Sequence, residues 1–298
     1  MRDELNAAGL TMLYEGDMSA EEIDEKGCID RHYASIAKSA TETDPSSLAL
    51  GDDKKGEFKS KFGQTWEESL ELGLVFNAKG AAEKLGTMDG EDLVPMPGKA
   101  LDALWAKAGD ARVKLAPGLY VSNIGEDEPL YVINGFYMAM REKYCVAGGN
   151  GIHFFVVAFD PEVTSWAKFR GEIIGATDPT AAPEGSIRGK MLASWEGEEG
   201  LDLDNAPNVG DNGVHASAGP IEGLKERVVW LAIEAEDDPF GEQLIKWTGG
   251  QKATILPWLE DAEVEEQKHY EVKGKMFDLT EDKDTNFCLQ LCNNIALA

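Results

Sequence analysis

The chain has 298 residues, and its 28 Lys and Arg against 55 Asp and Glu give a formal net charge of −27 and a sequence pI of about 4.4. Because so acidic a surface repels a phosphate backbone, nucleic acid is not an expected partner. With 43% hydrophobic residues the chain can bury a sizeable core, which excludes wholesale disorder. The sequence has neither an apolar run long enough to span a membrane nor a signal-peptide pattern. We therefore expect a cytoplasmic protein with no membrane partner.

The first 40 residues predict helices around one short strand. Residues 2–8 favour a helix, and the apolar run at 10–14 is typical of a strand. Ser19 is followed three residues later by Glu22, which is the spacing of a capping box. This spacing predicts a helix that starts at Ser19 and extends to about residue 40, with a break near Gly27.

The next two segments differ in pattern. Residues 41–117 are charged, rich in helix signals and interrupted by glycine and proline, so we expect a helical insertion there. Residues 1–40 and 118–231 would then form one domain, with 118–231 as its main part. That part predicts a strand, a helix, a buried strand and a short helix, in this order, at 118–124, 129–144, 152–159 and 166–174.

The last segment, 232–298, carries 15 acidic and 6 basic residues. Helical patterns cover 239–247 and 286–296. We expect an acidic C-terminal extension with a solvated face. Its contact with the core would come from four aromatic residues, Phe240, Trp247, Trp258 and Phe277.

The four cysteines and four histidines do not combine into a recognisable metal site. Cys288 and Cys292 have helical spacing, but no third cysteine or histidine lies near them in sequence. We expect buried or idle thiols and no metal held by protein ligands. The wide separation of the histidines also gives little support to a metal-dependent hydrolase.

The residues with the clearest chemistry fall between Arg170 and Glu226. Arginine offers a planar fork of donors, threonine and asparagine offer neutral donors, and a neutral imidazole can act as a nucleophile. This mixture among glycines is typical of a phosphate environment. It occurs in three segments, Gly175-Ala176-Thr177-Asp178-Pro179, Gly185-Ser186-Ile187-Arg188-Gly189 and Asn212-Gly213-Val214-His215-Ala216-Ser217.

Each of these residues also has an ordinary structural interpretation. His215 fits a structural or surface histidine, and Arg188 fits the solvent face of a strand. Thr177 fits a cap of the turn before Pro179, and Asn212 fits a turn residue. Local sequence alone leaves both interpretations open.

Taken in order, the three segments and the amphipathic helix after them resemble the nucleoside diphosphate kinase family. The motifs of that family read Gly-x-Thr-(Asn/Asp)-Pro, Gly-Thr-Ile-Arg-Gly and Asn-x-x-His-(Gly/Ala)-Ser. The resemblance is clear over 150–231 and fainter over 4–36. It implies an α+β fold, a ferredoxin-like sandwich with a four-stranded antiparallel sheet, elaborated here by the insertion and the extension. It also implies a homo-oligomer.

The resemblance further implies a ping-pong phosphotransferase. His215 would accept the γ-phosphoryl group of a nucleoside triphosphate and pass it to a nucleoside diphosphate, with Mg²⁺ bound mainly through the nucleotide phosphates. Glu226 would hold the other imidazole nitrogen and fix its tautomer. Arg188 and Thr177 would contact nucleotide phosphates, and Asn212 would reach the sugar 3′-hydroxyl or the phosphates.

Five further positions complete the implied nucleotide site. Arg170 and Ser217 lie beside the motifs, and Tyr33 matches a family tyrosine near the phosphates. Val132 and Phe136 match the two positions that stack on the base. Stacking of this kind tolerates every base, because all bases have a π-face. Packing in the core is the alternative interpretation of Tyr33 and Phe136.

The helix after Ser217 can be tested by its spacing. Pro220 suits the first helical position. Glu226 lies nearly opposite the apolar stripe of this helix, so it faces either a pocket or solvent. That stripe consists of Ile221, Leu224, Val228 and Leu231.

The match to the family breaks at several positions. The first strand of the family carries a Lys-Pro-Asp motif whose lysine contacts the transferred phosphate, and this chain lacks the motif. A second arginine of the family, besides the one that matches Arg188, aligns with Gly171. Arg170 is therefore one residue out of register with it. Asp211 and Gly219 stand where the family has arginine and serine. A catalytically weak or inactive nucleotide-binding scaffold of the same fold is therefore the alternative function.

Overall fold

The computed structural model describes residues 1–109, 111–116, 118–145, 149–197 and 200–297. About 48% of the chain is helical and about 16% is in strands, which makes it a mixed α/β protein compatible with the α+β class. The α-helices are α1 (Arg2–Ala7), α2 (Ala20–Glu25), α3 (Cys28–His32), α4 (Ala34–Thr41), α5 (Asp52–Phe62), α6 (Trp66–Glu71), α7 (Ala78–Lys84), α8 (Gly98–Lys107), α9 (Tyr137–Tyr144), α10 (Trp166–Lys168), α11 (Ile187–Ala193), α12 (Pro220–Leu231), α13 (Pro239–Trp247), α14 (Lys252–Leu259), α15 (Met276–Thr280) and α16 (Thr285–Ala296). The strands are β1 (Thr11–Met18), β2 (Val75–Asn77), β3 (Thr87–Asp89), β4 (Asp92–Val94), β5 (Arg112–Ala116), β6 (Leu119–Asn123), β7 (Tyr131–Ile133), β8 (Ile152–Ala158), β9 (Glu263–Glu266) and β10 (Val272–Lys275).

Two units divide the chain. The first unit comprises Met1–Gly16 and Phe154–Ala298, and the second comprises Asp17–His153. The chain leaves the first unit through β1 and returns through β8, and these two strands pair with each other. Residues 41–117, predicted to be an insertion, therefore share a unit with the strands that follow them.

The second unit is built around a four-stranded sheet in the order β2-β7-β6-β5. The β2–β7 pairing is parallel, and the β7–β6 and β6–β5 pairings are antiparallel. The sheet is mixed, so the predicted ferredoxin-like sheet of four antiparallel strands is not confirmed. The buried side chains of this unit include Phe58, Trp66, Val75, Val113, Leu115, Leu119, Val121, Tyr131 and Ile133.

The segment 41–117, predicted to be a helical insertion, contains helices but also four strands that the sequence did not predict, β2, β3, β4 and β5. Three of these strands have only three residues. A run of that length cannot show a period of two, and its conformation is fixed by pairing with a neighbouring strand. For β2 that neighbour is β7, which is distant in sequence.

The prediction of one helix over 129–144 is wrong in its first part, which forms β7. Asn134 ends this strand with a left-handed φ of 49°, and α9 begins only at Tyr137. The Asn134 side chain is fully buried; it accepts from the Tyr120 N–H at 3.0 Å and donates to the Gly118 carbonyl at 2.9 Å. These hydrogen bonds offset the energetic cost of the left-handed backbone at Asn134. The helical pattern of 129–144 gives no sign of this conformation.

Among the described residues of the first unit, two apolar clusters stand out. One gathers residues of α1, the π-helical turn Phe169–Ile174 and α11, and β8 packs against it. The other joins α12 to the helices that follow it, so the predicted C-terminal extension is part of the core of this unit. Phe240, Trp258 and Phe277 pack in this cluster as predicted, whereas Trp247 is 46% exposed.

Several other predictions are confirmed. The Ser19–Glu22 capping box starts α2, and α13 spans the predicted residues 239–247. Pro220 occupies the start of α12, and its stripe residues Ile221 and Leu224 are fully buried. All four cysteines are buried, and no disulfide links them. Within the described part of the chain, no helix has both the length and the apolar character needed to cross a membrane.

Candidate active site

The segment that carries His215 alternates between core and surface. Val214 and Ala216 pack against the apolar cluster of α1 and α11, whereas the side chain of His215 is 51% exposed. Because successive side chains of an extended segment point to opposite sides, burying Val214 and Ala216 turns the imidazole outward. The alternation in Val214-His215-Ala216 therefore places the His215 side chain on the outer side of this segment.

The helix α12 supplies the partner of this imidazole. Ile221 and Leu224 bury one face of α12, and Glu226 projects from the other face. The distance from His215 Nε2 to Glu226 Oε1 is 2.6 Å, and the carboxylate side chain is only 12% exposed. The Ser217 hydroxyl donates to the second carboxylate oxygen, Oε2. Of the two alternatives left by the spacing, pocket or solvent, full exposure to solvent is excluded, because the Glu226 carboxylate is largely buried in contact with His215 and Ser217.

The charge of Glu226 controls the protonation of the imidazole. The protein atoms around the half-exposed His215 ring disfavour its charged form. The carboxylate of Glu226, with a smaller effect from Glu222, outweighs this desolvation and raises the pKa of His215 above its ordinary value. An ionised Glu226 carboxylate can only accept a hydrogen bond, so His215 carries a proton on Nε2 and donates it to Glu226 Oε1. This tautomer puts the lone pair of the neutral ring on Nδ1.

A second carboxyl group, Glu222, lies one helical turn before Glu226 on the same side of α12. Burial, and then the charge of Glu226, raise the pKa of Glu222 to about 7. His215 and Arg170 act in the opposite direction. Near neutral pH this carboxyl group is therefore partly protonated.

Arg188 stabilises the backbone around His215. Ser186 caps the start of α11, and the Arg188 guanidinium donates through Nη1 to the Gly175 carbonyl at 2.7 Å and through Nη2 to the Val214 carbonyl. The residue is only 9% exposed, and its buried Nε has no hydrogen-bond partner among the described residues. Burial and the nearby charge of Arg170 lower the pKa of Arg188. The ordinary alternative of a solvent-facing arginine is thus wrong.

Gly175 is required at its position because its φ is +97° and a Cβ atom there would lie 2.4 Å from the Ser186 hydroxyl oxygen. The loop after it carries Thr177, which is exposed. Asn212 donates through Nδ2 to the Thr177 carbonyl at 3.1 Å, which joins the first motif to the third. Asp178 caps the short turn Pro179–Ala181 by accepting from the Thr180 N–H. Thr177 therefore does not cap this turn, which was the ordinary structural interpretation of that residue.

Arg170, the other predicted phosphate-binding arginine, already has two anionic partners. Its Nη1 donates to Glu281 Oε1 at 2.8 Å and to Asp282 Oδ1 at 2.7 Å. Burial opposes the charge of Arg170, but these two carboxylates raise its pKa above the ordinary value. The sequence patterns did not indicate Glu281 or Asp282, because they lie more than a hundred residues after Arg170 in the chain. Glu222 also went unnoticed, although its spacing of four from Glu226 is a helical signal.

The three remaining predicted residues belong to the second unit. Tyr33 lies between α3 and α4, with its ring 4.4 Å from that of His32. Val132 in β7 is completely buried, so its side chain offers no accessible face to a base. Phe136 is half-buried with its ring 6.0 Å from Trp105. The other seven predicted residues, His215 among them, lie in the first unit.

Comparisons of the chain with protein-family models, with curated proteins and with solved structures find no match.

Proposed function

We propose that this chain is a phosphotransferase of the nucleoside diphosphate kinase type that works through phosphorylation of His215. The observation that carries the proposal is the 2.6 Å contact between His215 Nε2 and Glu226 Oε1. An outward-facing imidazole whose tautomer is set by a nearly buried carboxylate has the arrangement of an activated nucleophile and its orienting partner. The order of the three motifs supplies the nature of the substrate, a nucleoside triphosphate.

In the first half-reaction, the lone pair of His215 Nδ1 forms a bond to the γ-phosphorus. The bond between this phosphorus and the oxygen bridging to the β-phosphate breaks, and the nucleoside diphosphate leaves with that electron pair. The Nε2 proton stays on the ring, where Glu226 compensates the positive charge of the phosphorylated imidazole. In the second half-reaction, a terminal oxygen of another nucleoside diphosphate attacks the same phosphorus and the P–N bond breaks.

The nucleotide would bring Mg²⁺, which phosphate oxygens and water hold and which neutralises charge on the transferring group. The Glu222 carboxyl group offers oxygen atoms, the donor type that Mg²⁺ binds, whereas both oxygens of Glu226 already contact His215 and Ser217. The residues present are therefore compatible with an ion that the nucleotide mainly holds. The chain itself contributes Arg188, which holds the segment before His215, and the pair of Asn212 and Thr177, which joins the flanking loop to it.

The same contacts favour a slow enzyme. The guanidinium of Arg188 is used on backbone carbonyls, and Arg170 is paired with Glu281 and Asp282. The loss of one donor to the transition state costs about 2.7–4 kcal/mol, or about 10² to 10³ in rate. The second candidate, a nucleotide-binding scaffold without transfer, is favoured by the anionic pairing of Arg170.

The experiment incubates the protein with γ-labelled ATP and Mg²⁺ and tests the chemical stability of the protein-bound label. We expect a label that is labile in acid, stable in base and removed by a chase with a nucleoside diphosphate. His215→Ala should abolish it. His153→Ala is the matched control, because His153 is also exposed and also lies 2.7 Å from a carboxylate, that of Asp17.

A label that persists in His215→Ala contradicts the proposal. Nucleotide binding without any label in the wild type favours the scaffold. The nucleotide contacts of Tyr33, Val132 and Phe136, the ferredoxin-like sheet, the homo-oligomer and the cytoplasmic location stay predictions. Of the three contacts, that of Val132 has the least support, since its side chain is buried.

A further inference from the structure

The turn formed by residues 280–284 supplies both carboxylates that bind Arg170. Glu281 and Asp282 are consecutive, and each places an oxygen within 2.8 Å of the same nitrogen, Arg170 Nη1. Two carboxylates on one guanidinium leave a net negative charge at this point. Both acidic residues are themselves exposed, so the pairing is not needed to neutralise charges trapped in the core.

The same turn is attached to the segment that carries the nucleophile. The Asp282 N–H donates to the carbonyl of Ala218 at 2.9 Å, three residues after His215. A Cβ atom on Gly219 would lie 2.4 Å from the Thr280 carbonyl oxygen, so only glycine allows this close approach. The 280–284 turn therefore lies against the start of α12, the helix that carries Glu226.

The backbone of the turn is held in a sparsely populated conformation. Asp282 has a φ of 57°, in the left-handed region that aspartate and asparagine enter more readily than most residues. This conformation accompanies the contact of its carboxylate with Arg170. An asparagine at the same position would keep the turn and remove the charge.

Arg170 is also electrostatically connected to the site. Its charge contributes to lowering the pKa of Arg188, and it opposes the increase in the pKa of Glu222. Arg170 is thus close enough to influence both neighbours of His215. A phosphate group needs such N–H donors, and an arginine fork binds phosphate or carboxylate with the same geometry. A diphosphate and the two carboxylates cannot both use Arg170 Nη1 in this way.

We propose that the 280–284 turn is an autoinhibitory contact, in which Glu281 and Asp282 occupy the Arg170 donors that a di- or triphosphate would take. The inference rests on the proposed function for the identity of the ligand. It states that phosphate binding requires the two carboxylates to leave Arg170, and that the chain regulates its own site through the stability of this contact.

The test measures the affinity of the full chain for inorganic pyrophosphate by calorimetry, without Mg²⁺. The variant is Glu281→Gln with Asp282→Asn, which keeps both side-chain shapes and the left-handed turn. The matched control is Glu234→Gln with Glu236→Gln. These two carboxylates also share one cation, Lys252, and their removal changes the net charge equally. Circular dichroism checks that both variants are folded, and Glu281→Gln alone replaces the double variant if it is not.

We expect the Glu281→Gln, Asp282→Asn protein to bind pyrophosphate at least about tenfold more tightly than the wild type, because two competing anions are removed. The control should stay within about twofold of the wild type. Adding Arg170→Gln to the double variant should abolish the gain. The inference is overturned by equal affinity of double variant and wild type, by the same gain in the control, or by a gain that survives Arg170→Gln. Absence of binding in both wild type and double variant also overturns it.

The result is separable from that of the proposed function. Pyrophosphate binding requires no chemistry at His215, so the expected pattern supports autoinhibition even where no phosphohistidine forms. Conversely, a phosphohistidine that forms at the same rate in the wild type and the double variant supports the enzyme and contradicts the autoinhibitory contact.

Discussion

The guanidinium of Arg188 donates to the carbonyl of Val214, the residue immediately before His215. Arg188 is buried and lies in α11, so the backbone next to His215 is fixed from inside the first unit. The consequence is that Arg188 acts on His215 through the main chain. We therefore assign Arg188 as a positioning residue in this structure, and its contact with nucleotide phosphates stays a prediction of the family resemblance.

Arg188→Met should lower the free energy of unfolding by about 1–3 kcal/mol, because two carbonyl groups lose charged donors in a buried place. Urea unfolding measures this change. Arg2→Met is the control, since Arg2 forms an exposed ion pair with Glu15 and its loss should cost less than about 1 kcal/mol. Equal losses in the two variants would show that the carbonyl contacts contribute little.

Glu226→Gln should lower the pKa of His215, because the charge that raises this pKa is removed and the effect of burial remains. In the wild type the His215–Glu226 pair stabilises the fold fully below pH 6.5, and this contribution is lost as the pH rises through the folded-state pKa. Phosphorylation of His215 should slow by about 10²-fold, in line with the loss of an orienting partner.

NMR titration of the imidazole resonances measures this prediction, with the resonances of His153 as the control within the same sample. An unchanged pKa of His215 in Glu226→Gln would mean that the 2.6 Å contact is not maintained in solution.

Glu222 makes the free energy of unfolding fall as the pH rises, which is the opposite of the pH dependence that a carboxylate paired with a cation produces. Its pKa is raised from 4.5 to about 7 by burial and by Glu226, so the folded chain binds this proton more tightly than the unfolded chain. The contribution is complete below pH 4.5 and is lost as the pH rises through about 7. Glu222→Gln should therefore stabilise the protein by about 1–3 kcal/mol at about pH 8, with almost no effect at about pH 5.

Urea unfolding of Glu222→Gln and wild type at both pH values tests this prediction. The exposed Glu184→Gln in the same unit is the control and should show no such pH dependence. A stability difference that is the same at both pH values would contradict the assigned protonation of Glu222.

The pair of Arg227 and Asp238 should be a main source of stability near the C-terminal helices. Asp238 is buried, lies 2.6 Å from Arg227 Nε and caps α13 by accepting from the Phe240 and Gly241 N–H groups. Burial opposes its charge, but Arg227 and these donors lower its pKa, so its stabilisation is lost as the pH falls through the folded-state value.

Asp238→Ala should cost about 3–5 kcal/mol, because it leaves a partly buried arginine without its partner and uncaps a helix. Thermal and urea unfolding measure the loss. Glu234→Gln, which weakens an exposed pair with Lys252, should cost less than about 1 kcal/mol. A loss of similar size in both variants would contradict the importance of burial.

The parts of the fold that the sequence predicts well are those specified locally. Ser19 with Glu22 marks the start of α2, and Pro220 with its apolar stripe marks α12, because capping and helical periodicity depend on neighbouring residues. Strands β2 and β7 were missed for the opposite reason. Each has three residues, and the pairing that forms them joins segments far apart in the chain.

The candidate site shows the same division. The pairing of His215 with Glu226 is what the family resemblance implies, and the structure brings the two side chains together. The pairing of Arg170 with Glu281 and Asp282 is a long-range contact that no local pattern encodes. The burial of Val132 is likewise a property of the sheet and not of the residues beside it in sequence.

One face of the helix α12 packs in the core, and the other carries Glu226. This arrangement limits how far the chain can be shortened. Ile221 and Leu224 are buried against residues that come after 231, including Leu244, Ile255 and Met276. A chain that ended at Leu231 would keep all the recognisable motifs but expose this apolar face to water and leave Glu226 on an unsupported helix. A fragment that holds His215 in its present geometry must therefore include the residues of the C-terminal extension, 232–298, that pack against α12.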